Sequence, residues 1–193
     1  VAVVYGHGGE QVPAAIAVPE IRWVLQQQQL GTGHAVMQAL PLIPDDHLVL
    51  ILYGDVPLIR SETLRRLVED ASRGALALLT VKLVDPIGYG RIVRGEDGAV
   101  RRIVEQKDAS VAELAINECN TGLLAAPAAR LKQWLGRLRN DNAQGEYYLT
   151  DAVGMAVAEG LPVQAIVVND ADEVAGVNDR AQLAALERAL QGR

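Results

Sequence analysis

Apolar runs of strand length alternate along this chain with segments of helical periodicity, and that alternation restricts the fold more than any other feature. Val1–Tyr5, Arg22–Gln26, Leu48–Tyr53, Leu76–Leu83, Arg91–Arg94, Val100–Glu105, Asn120–Ala126 and Pro162–Val168 have the length and β-branched content of strands. Gly9–Ala17, Gly33–Ala39, Ser61–Ser72, Ala128–Leu138, Leu149–Glu159 and Asp179–Leu190 carry helical patterns between them. Ser61 is expected to cap its helix, and Asn178 or Asp179 the last one, where Leu183, Leu186 and Leu190 share a stripe. Gly95-Glu96-Asp97-Gly98 is a hairpin signal between two short strands. Regular alternation predicts an α/β fold: a mostly parallel sheet with helices on both faces and a small antiparallel insert at Arg91–Glu105.

Composition narrows the function classes. The 193 residues are 50% hydrophobic and 22% charged, enough to bury a core in one domain of ordinary size. A formal charge of −6 argues against a nucleic-acid or anionic-membrane surface, and no apolar run approaches the length of a membrane span. The single cysteine, Cys119, suits a reducing compartment, so a cytoplasmic protein is expected. Cys119 reads as a small core residue, since no nucleophile–base arrangement accompanies it. The histidines, at 7, 34 and 47, spell no zinc cluster. Val1 opens the chain within a strand, and a fragment or processed product is expected.

Several segments carry chemistry. The apolar Leu48–Leu52 run ends in Tyr53-Gly54-Asp55-Val56-Pro57, and the carboxyl ends of strands are where open α/β sheets bind ligands. Asp55 there suits magnesium on a nucleotide phosphate about as well as it suits a turn before Pro57. Gln26-Gln27-Gln28-Gln29-Leu30-Gly31-Thr32-Gly33 runs from strand through a glycine turn to a helix. Its glutamine amides could match a uracil edge, or the segment could be a polar loop. Gly88-Tyr89-Gly90-Arg91 reads as turn chemistry, and Val104-Glu105-Gln106-Lys107-Asp108 as a solvated edge. Asn120 opens a buried strand, which requires its amide to be satisfied. Thr150 reads as a helix cap after the polar, aromatic Asn142–Leu149 stretch.

Taken in order, these segments closely resemble the uridylyltransferase domain of bacterial N-acetylglucosamine-1-phosphate uridyltransferases, bifunctional enzymes that also acetylate glucosamine 1-phosphate. The carrying motifs are Tyr5-Gly6-His7-Gly8-Gly9, Gln29-Leu30-Gly31-Thr32-Gly33-His34-Ala35 and Tyr53-Gly54-Asp55-Val56-Pro57-Leu58. Gly88-Tyr89-Gly90-Arg91-Ile92, Ile103–Asp108, Asn120-Thr121-Gly122, Gln144–Tyr148 with Thr150-Asp151, and Gly176-Val177-Asn178 complete the set. The likeness covers essentially the whole chain and implies a Rossmann-like nucleotide-diphospho-sugar transferase fold.

By this resemblance the activity is that of a UDP-N-acetylglucosamine diphosphorylase, which makes UDP-N-acetylglucosamine and pyrophosphate from UTP and N-acetylglucosamine 1-phosphate for cell-wall and lipopolysaccharide precursors. Gln26, Gly31 and Thr32 would meet the uracil. Tyr53, Gly54 and Asp55 would line the nucleotide and sugar, and Asp55 with Asn178 would hold Mg2+. Gly90, Glu105 and Asn120 would hold the N-acetylglucosamine, with Tyr148 and Thr150 near its acetyl arm. A nucleotidylyltransferase for another sugar 1-phosphate, or a chain that only binds a UDP-sugar, are the alternatives. The family's opening strand and glycine-rich loop, of the type L-x-A-G-x-G-x-R-M, have no counterpart here, nor does its acetyltransferase β-helix, which builds a homotrimer. Residues 1–193 are therefore expected to be a partial uridylyltransferase domain.

Overall fold

A computed structural model describes residues 1–16 and 18–192. Along the chain lie β1 (Ala2–Tyr5), α1 (Gln11–Ala15), β2 (Arg22–Leu25), α2 (Thr32–Ala39), β3 (Leu48–Ile51), α3 (Ser61–Ser72) and β4 (Leu76–Lys82). They are followed by β5 (Arg91–Arg94), β6 (Val100–Val104), α4 (Val111–Leu114), β7 (Glu118–Pro127), α5 (Ala128–Leu135), α6 (Asp151–Ala158), β8 (Val163–Val168) and α7 (Arg180–Gln191). The helix expected over Gly9–Ala17 is realised as α1, with its expected last residue, Ala17, outside the described residues.

Among the described residues, β1 and β2 form a parallel pair, and the other strands form a sheet of order β6-β5-β7-β4-β8 with β3 on β7. β7 runs antiparallel to β3, β4 and β5, whereas β8 is parallel to β4. β3, β4, β5 and β8 therefore point one way and β6 and β7 the other. The expected majority direction is present, but one reversed strand sits at the centre of the sheet. The Arg91–Glu105 hairpin is the antiparallel β5–β6 pair.

Alternation along β4 builds the two layers. Leu76 and Leu78 join Leu131, Trp134 and Val153 of α5 and α6 in one apolar cluster. Ala77, Leu79 and Val81 point the other way, onto Leu67 and Ala71 of α3. Each strand residue is thus buried whichever face it takes, which explains the unbroken apolar runs.

Of three local expectations, two change and the Asp179 cap holds. Ser61 is the first helical residue of α3, and Arg60 occupies the cap position without a side-chain cap bond. Asp179 caps α7 by accepting from the Gln182 N–H at 2.8 Å. On that helix Leu186 is buried, but Leu183 and Leu190 are 54% and 56% exposed, so the stripe packs at one point only. Among the described residues no helix is long and apolar enough to cross a membrane.

Candidate functional site

The carboxyl end of β3 opens into a cleft of about 350 Å³ lined by Tyr53, Asp55, Tyr89, Thr121, Asn178 and Gln182. The Asp55 carbonyl accepts from the Val177 N–H at 2.9 Å, which lays Gly176-Val177-Asn178 beside the strand end. A Cβ on Gly176 would stand 3.3 Å from Asp55 Oδ2 and 3.9 Å from Asn178 Nδ2, so carboxylate and amide flank this glycine. The segment is anchored by buried Glu173, which accepts from the Arg60 N–H at 3.3 Å and the Thr63 hydroxyl at 2.5 Å. Glu173 escaped the sequence reading because Asp170-Ala171-Asp172-Glu173 looks like a solvated acidic run.

Gln26 is buried at the end of β2; its amide nitrogen lies 3.2 Å from the Gly31 carbonyl and 3.0 Å from His34 Nδ1. Gly31 has φ +103° and leaves no room for a side chain: a Cβ would fall 2.8 Å from both the Tyr147 carbonyl and Glu146 Cβ. The turn is knitted to that loop by Tyr147 N–H donating to Leu30 O and Gly33 N–H donating to Tyr147 O, both at 2.8 Å. Thr32 Oγ1 accepts from the Leu149 N–H at 3.3 Å and faces the Tyr53 phenol. The Gln26–Thr32 turn thereby lies beside the strand-end cleft.

Glu105, just beyond β6, accepts from the Thr150 hydroxyl at 2.9 Å. Its Oε2 is 3.3 Å from where a Gly90 Cβ would stand, and the Gly90 carbonyl accepts from the Asn120 N–H at 2.9 Å. Asn120 is only half-buried, and its Oδ1 accepts from the Gly122 N–H at 3.1 Å. Thr150 sits at the N-terminus of α6 but makes no cap bond, its hydroxyl being committed to Glu105. Burial pushes the Glu105 carboxyl above its ordinary range; Asp151, Asp108 and Glu146 add to this, and the Thr150 bond opposes it. Burial also raises the Tyr53 phenol, helped by Glu105 and Asp55 and opposed by Thr32.

Tyr53 thus lines the cleft with Asp55, near enough to Thr32 and Glu105 for both to act on its phenol. Its ring lies over Gly122, where a Cβ would be 1.8 Å from Cε2. Gly54, between Tyr53 and Asp55, faces open space. Buried Arg91, read from sequence as part of a turn, donates to the Tyr89 carbonyl and reaches Gln106 Oε1 at 3.5 Å, while the Gly88 N–H also donates to that Gln106 oxygen. Arg91 thereby braces the Gly88–Gly90 turn, with its Nε unpaired. A depression of about 380 Å³ elsewhere, between β3 and α3 and lined by Leu50, Leu64 and Val68, is mainly apolar and holds none of these groups.

Among the described residues no three His, Cys, Asp or Glu side chains cluster as a metal site. Asp55 nonetheless offers a hard oxygen donor beside an open cleft, and the Asn178 amide, whose Nδ2 lies on the Gly176 side, would offer a second through Oδ1. That fits a cation which takes one or two protein ligands and completes its shell with water and phosphate oxygens, as Mg2+ does.

Residues 1–96 match the MobA-like NTP transferase domain family. The bifunctional protein GlmU of Alkalilimnicola ehrlichii is 62% identical over 191 residues, covering 99% of this chain and 41% of that protein. The GlmU proteins of Azotobacter vinelandii and Burkholderia pseudomallei are 60% and 57% identical, covering 99% and 98% of this chain and 42% of each relative. The chain spans about two fifths of the length of these relatives. A solved structure of UDP-glucose pyrophosphorylase complexed with UDP-glucose superposes with a TM-score of 0.75 at 15% identity, covering all of this chain and 81% of that one. At that identity the likeness is one of fold.

Proposed function

Because the chain belongs to the GlmU family, within the uridylyltransferase part of those bifunctional proteins, we propose that it forms UDP-N-acetylglucosamine and pyrophosphate from UTP and N-acetylglucosamine 1-phosphate. The supporting observation is the cleft at the end of β3, where Tyr53, its ring packed over Gly122, lies with Asp55 and Asn178. In this reading Gln26, Gly31 and Thr32 receive the uracil, and Tyr53 and Gly54 run beside the nucleotide. Gly90, Glu105 and Asn120 hold the sugar, with Tyr148 and Thr150 at its acetamido arm.

The chemistry asks for no protein nucleophile. A phosphate oxygen of the sugar phosphate attacks the α-phosphorus of UTP, the bond to the β-phosphate oxygen breaks, and the electron pair leaves with pyrophosphate. What the chain supplies is orientation, by buried groups that their neighbours hold in place. Bound by Asp55 and Asn178, Mg2+ would neutralise phosphate charge as a Lewis acid. Glu105 accepts sugar hydroxyl protons, and Asn120 supplies an amide. A free, buried Cys119 suits the cytoplasm, where we place the reaction. Residues 1–193 would act as part of a longer uridylyltransferase unit, in an assembly that is trimeric in the full-length protein.

Calorimetric titration with UDP-N-acetylglucosamine and with UDP-glucose, each with Mg2+, tests this. Saturable binding that prefers the acetamido sugar is expected. Equal affinity for both would overturn the substrate assignment, and no binding by a folded chain would overturn the site.

A further inference from the structure

The hydrogen bonds around Tyr148 can run in one direction only. Lys107 Nζ has protons to give and no lone pair, so the Gln144 atom 2.8 Å away is the carbonyl Oε1. This leaves Gln144 Nε2 as a donor, and it lies 3.0 Å from the Tyr148 hydroxyl. The Tyr148 proton goes to Asp108 Oδ2 at 3.1 Å, and an ionised carboxylate only accepts. The other Asp108 oxygen accepts from the Ala143 N–H at 2.9 Å, which fixes the carboxylate's orientation. With its proton and one lone pair in use, the Tyr148 hydroxyl has one lone pair left. Thr150 is similarly committed, its proton lying on Glu105.

We propose that Lys107, Gln144 and Asp108 are positioning residues that fix the polarity of Tyr148, so that it meets the sugar only as an acceptor and selects the acetamido N–H. The inference rests on the reading above that the sugar's acetamido arm lies against Tyr148. An amide N–H can only donate, whereas the hydroxyl that glucose carries at the same carbon can donate or accept. Reversing Tyr148 should therefore penalise the acetamido sugar and leave the glucose compound almost unaffected.

Asp108→Asn makes that reversal. The Ala143 N–H holds the new carbonyl oxygen, the new amide donates to Tyr148, and the phenolic proton turns toward the sugar. The expected result is an affinity for UDP-N-acetylglucosamine about tenfold weaker, about 1.4 kcal/mol, with UDP-glucose changed less than about twofold. In a Tyr148→Phe background the same substitution should change neither affinity by more than about twofold, a coupling that a purely structural role would not produce. Lys107→Met, which frees the Gln144 amide to flip, should give a smaller loss in the same direction, with an unchanged thermal midpoint. If the unsubstituted chain shows no preference for the acetamido sugar, the underlying reading falls and this inference with it. If that preference is present but Asp108→Asn weakens both ligands equally, or acts undiminished without the Tyr148 hydroxyl, the polarity relay alone is refuted.

Discussion

Replacing Gly122 by alanine should damage both stability and the site, because two independent costs meet at that residue. Gly122 lies in β7 where the register against β4 shifts between Leu78 and Thr80, and its φ is +83°. An alanine held there pays about 1–2 kcal/mol for a left-handed backbone. Its methyl would also lie 1.8 Å from Tyr53 Cε2 and 2.8 Å from Cδ2 and Cζ, so the ring must move. Overpacking of this kind costs about 1–3 kcal/mol, for a total of about 2–5 kcal/mol. Urea unfolding of Gly122→Ala, Tyr53→Ala and the double variant would separate the terms. With the ring removed the steric part disappears and the backbone part remains, so a coupling of about 1–3 kcal/mol is expected. UDP-N-acetylglucosamine binding should fall in Gly122→Ala, since Tyr53 is the group displaced. A loss below about 1 kcal/mol, or no coupling to Tyr53, would refute the reasoning.

Asp55→Ala should abolish the gain in UDP-N-acetylglucosamine affinity that Mg2+ produces, a difference of at least tenfold, about 1.4 kcal/mol, read by titration with and without the metal. The Glu105 carboxyl, raised mainly by burial, binds its proton more tightly in the folded chain than in the unfolded one. Its contribution to stability is therefore greatest below the ordinary carboxylate range and declines as pH rises through the raised value. Ligand affinity should move oppositely, weakening as pH falls through that value, and Glu105→Gln should flatten the profile; a profile unchanged by the substitution would contradict this. Glu173→Ala leaves the Arg60 N–H and Thr63 hydroxyl without their acceptor and should cost about 1–3 kcal/mol in urea unfolding, while loosening the Asn178 segment enough to raise the Mg2+ concentration needed for binding.

The layers were legible because β4 and β7 are buried on both faces and their apolar runs are strand-sized. The direction of β7 was not legible. A strand buried on both faces has the same apolar pattern whether it runs with or against its neighbours, so nothing in Asn120–Ala126 marks the reversal. Asp55 stood out by its position after an apolar strand, and the structure brings it beside Asn178 from far along the chain. Thr150 was read as a cap because a threonine before a helix is the residue type that caps; only the position of Glu105 shows that its hydroxyl is committed elsewhere. Lys107 and Asp108 looked like a solvated edge, and both are exposed. Their part depends on Gln144 and Tyr148, which the fold brings across from another loop.

Mapping the backbone amide NMR shifts of this chain, first with UMP and then with UDP-N-acetylglucosamine in Mg2+, tests the central claim most directly. UMP should perturb the amides around Gln26, Gly31 and Thr32. The sugar nucleotide should add Gly90, Glu105, Asn120 and Thr150, with Asp55 and Asn178 responding only when metal is present. Shifts confined to the apolar depression at Leu64 and Val68, or a sugar nucleotide pattern no different from that of UMP, would contradict it.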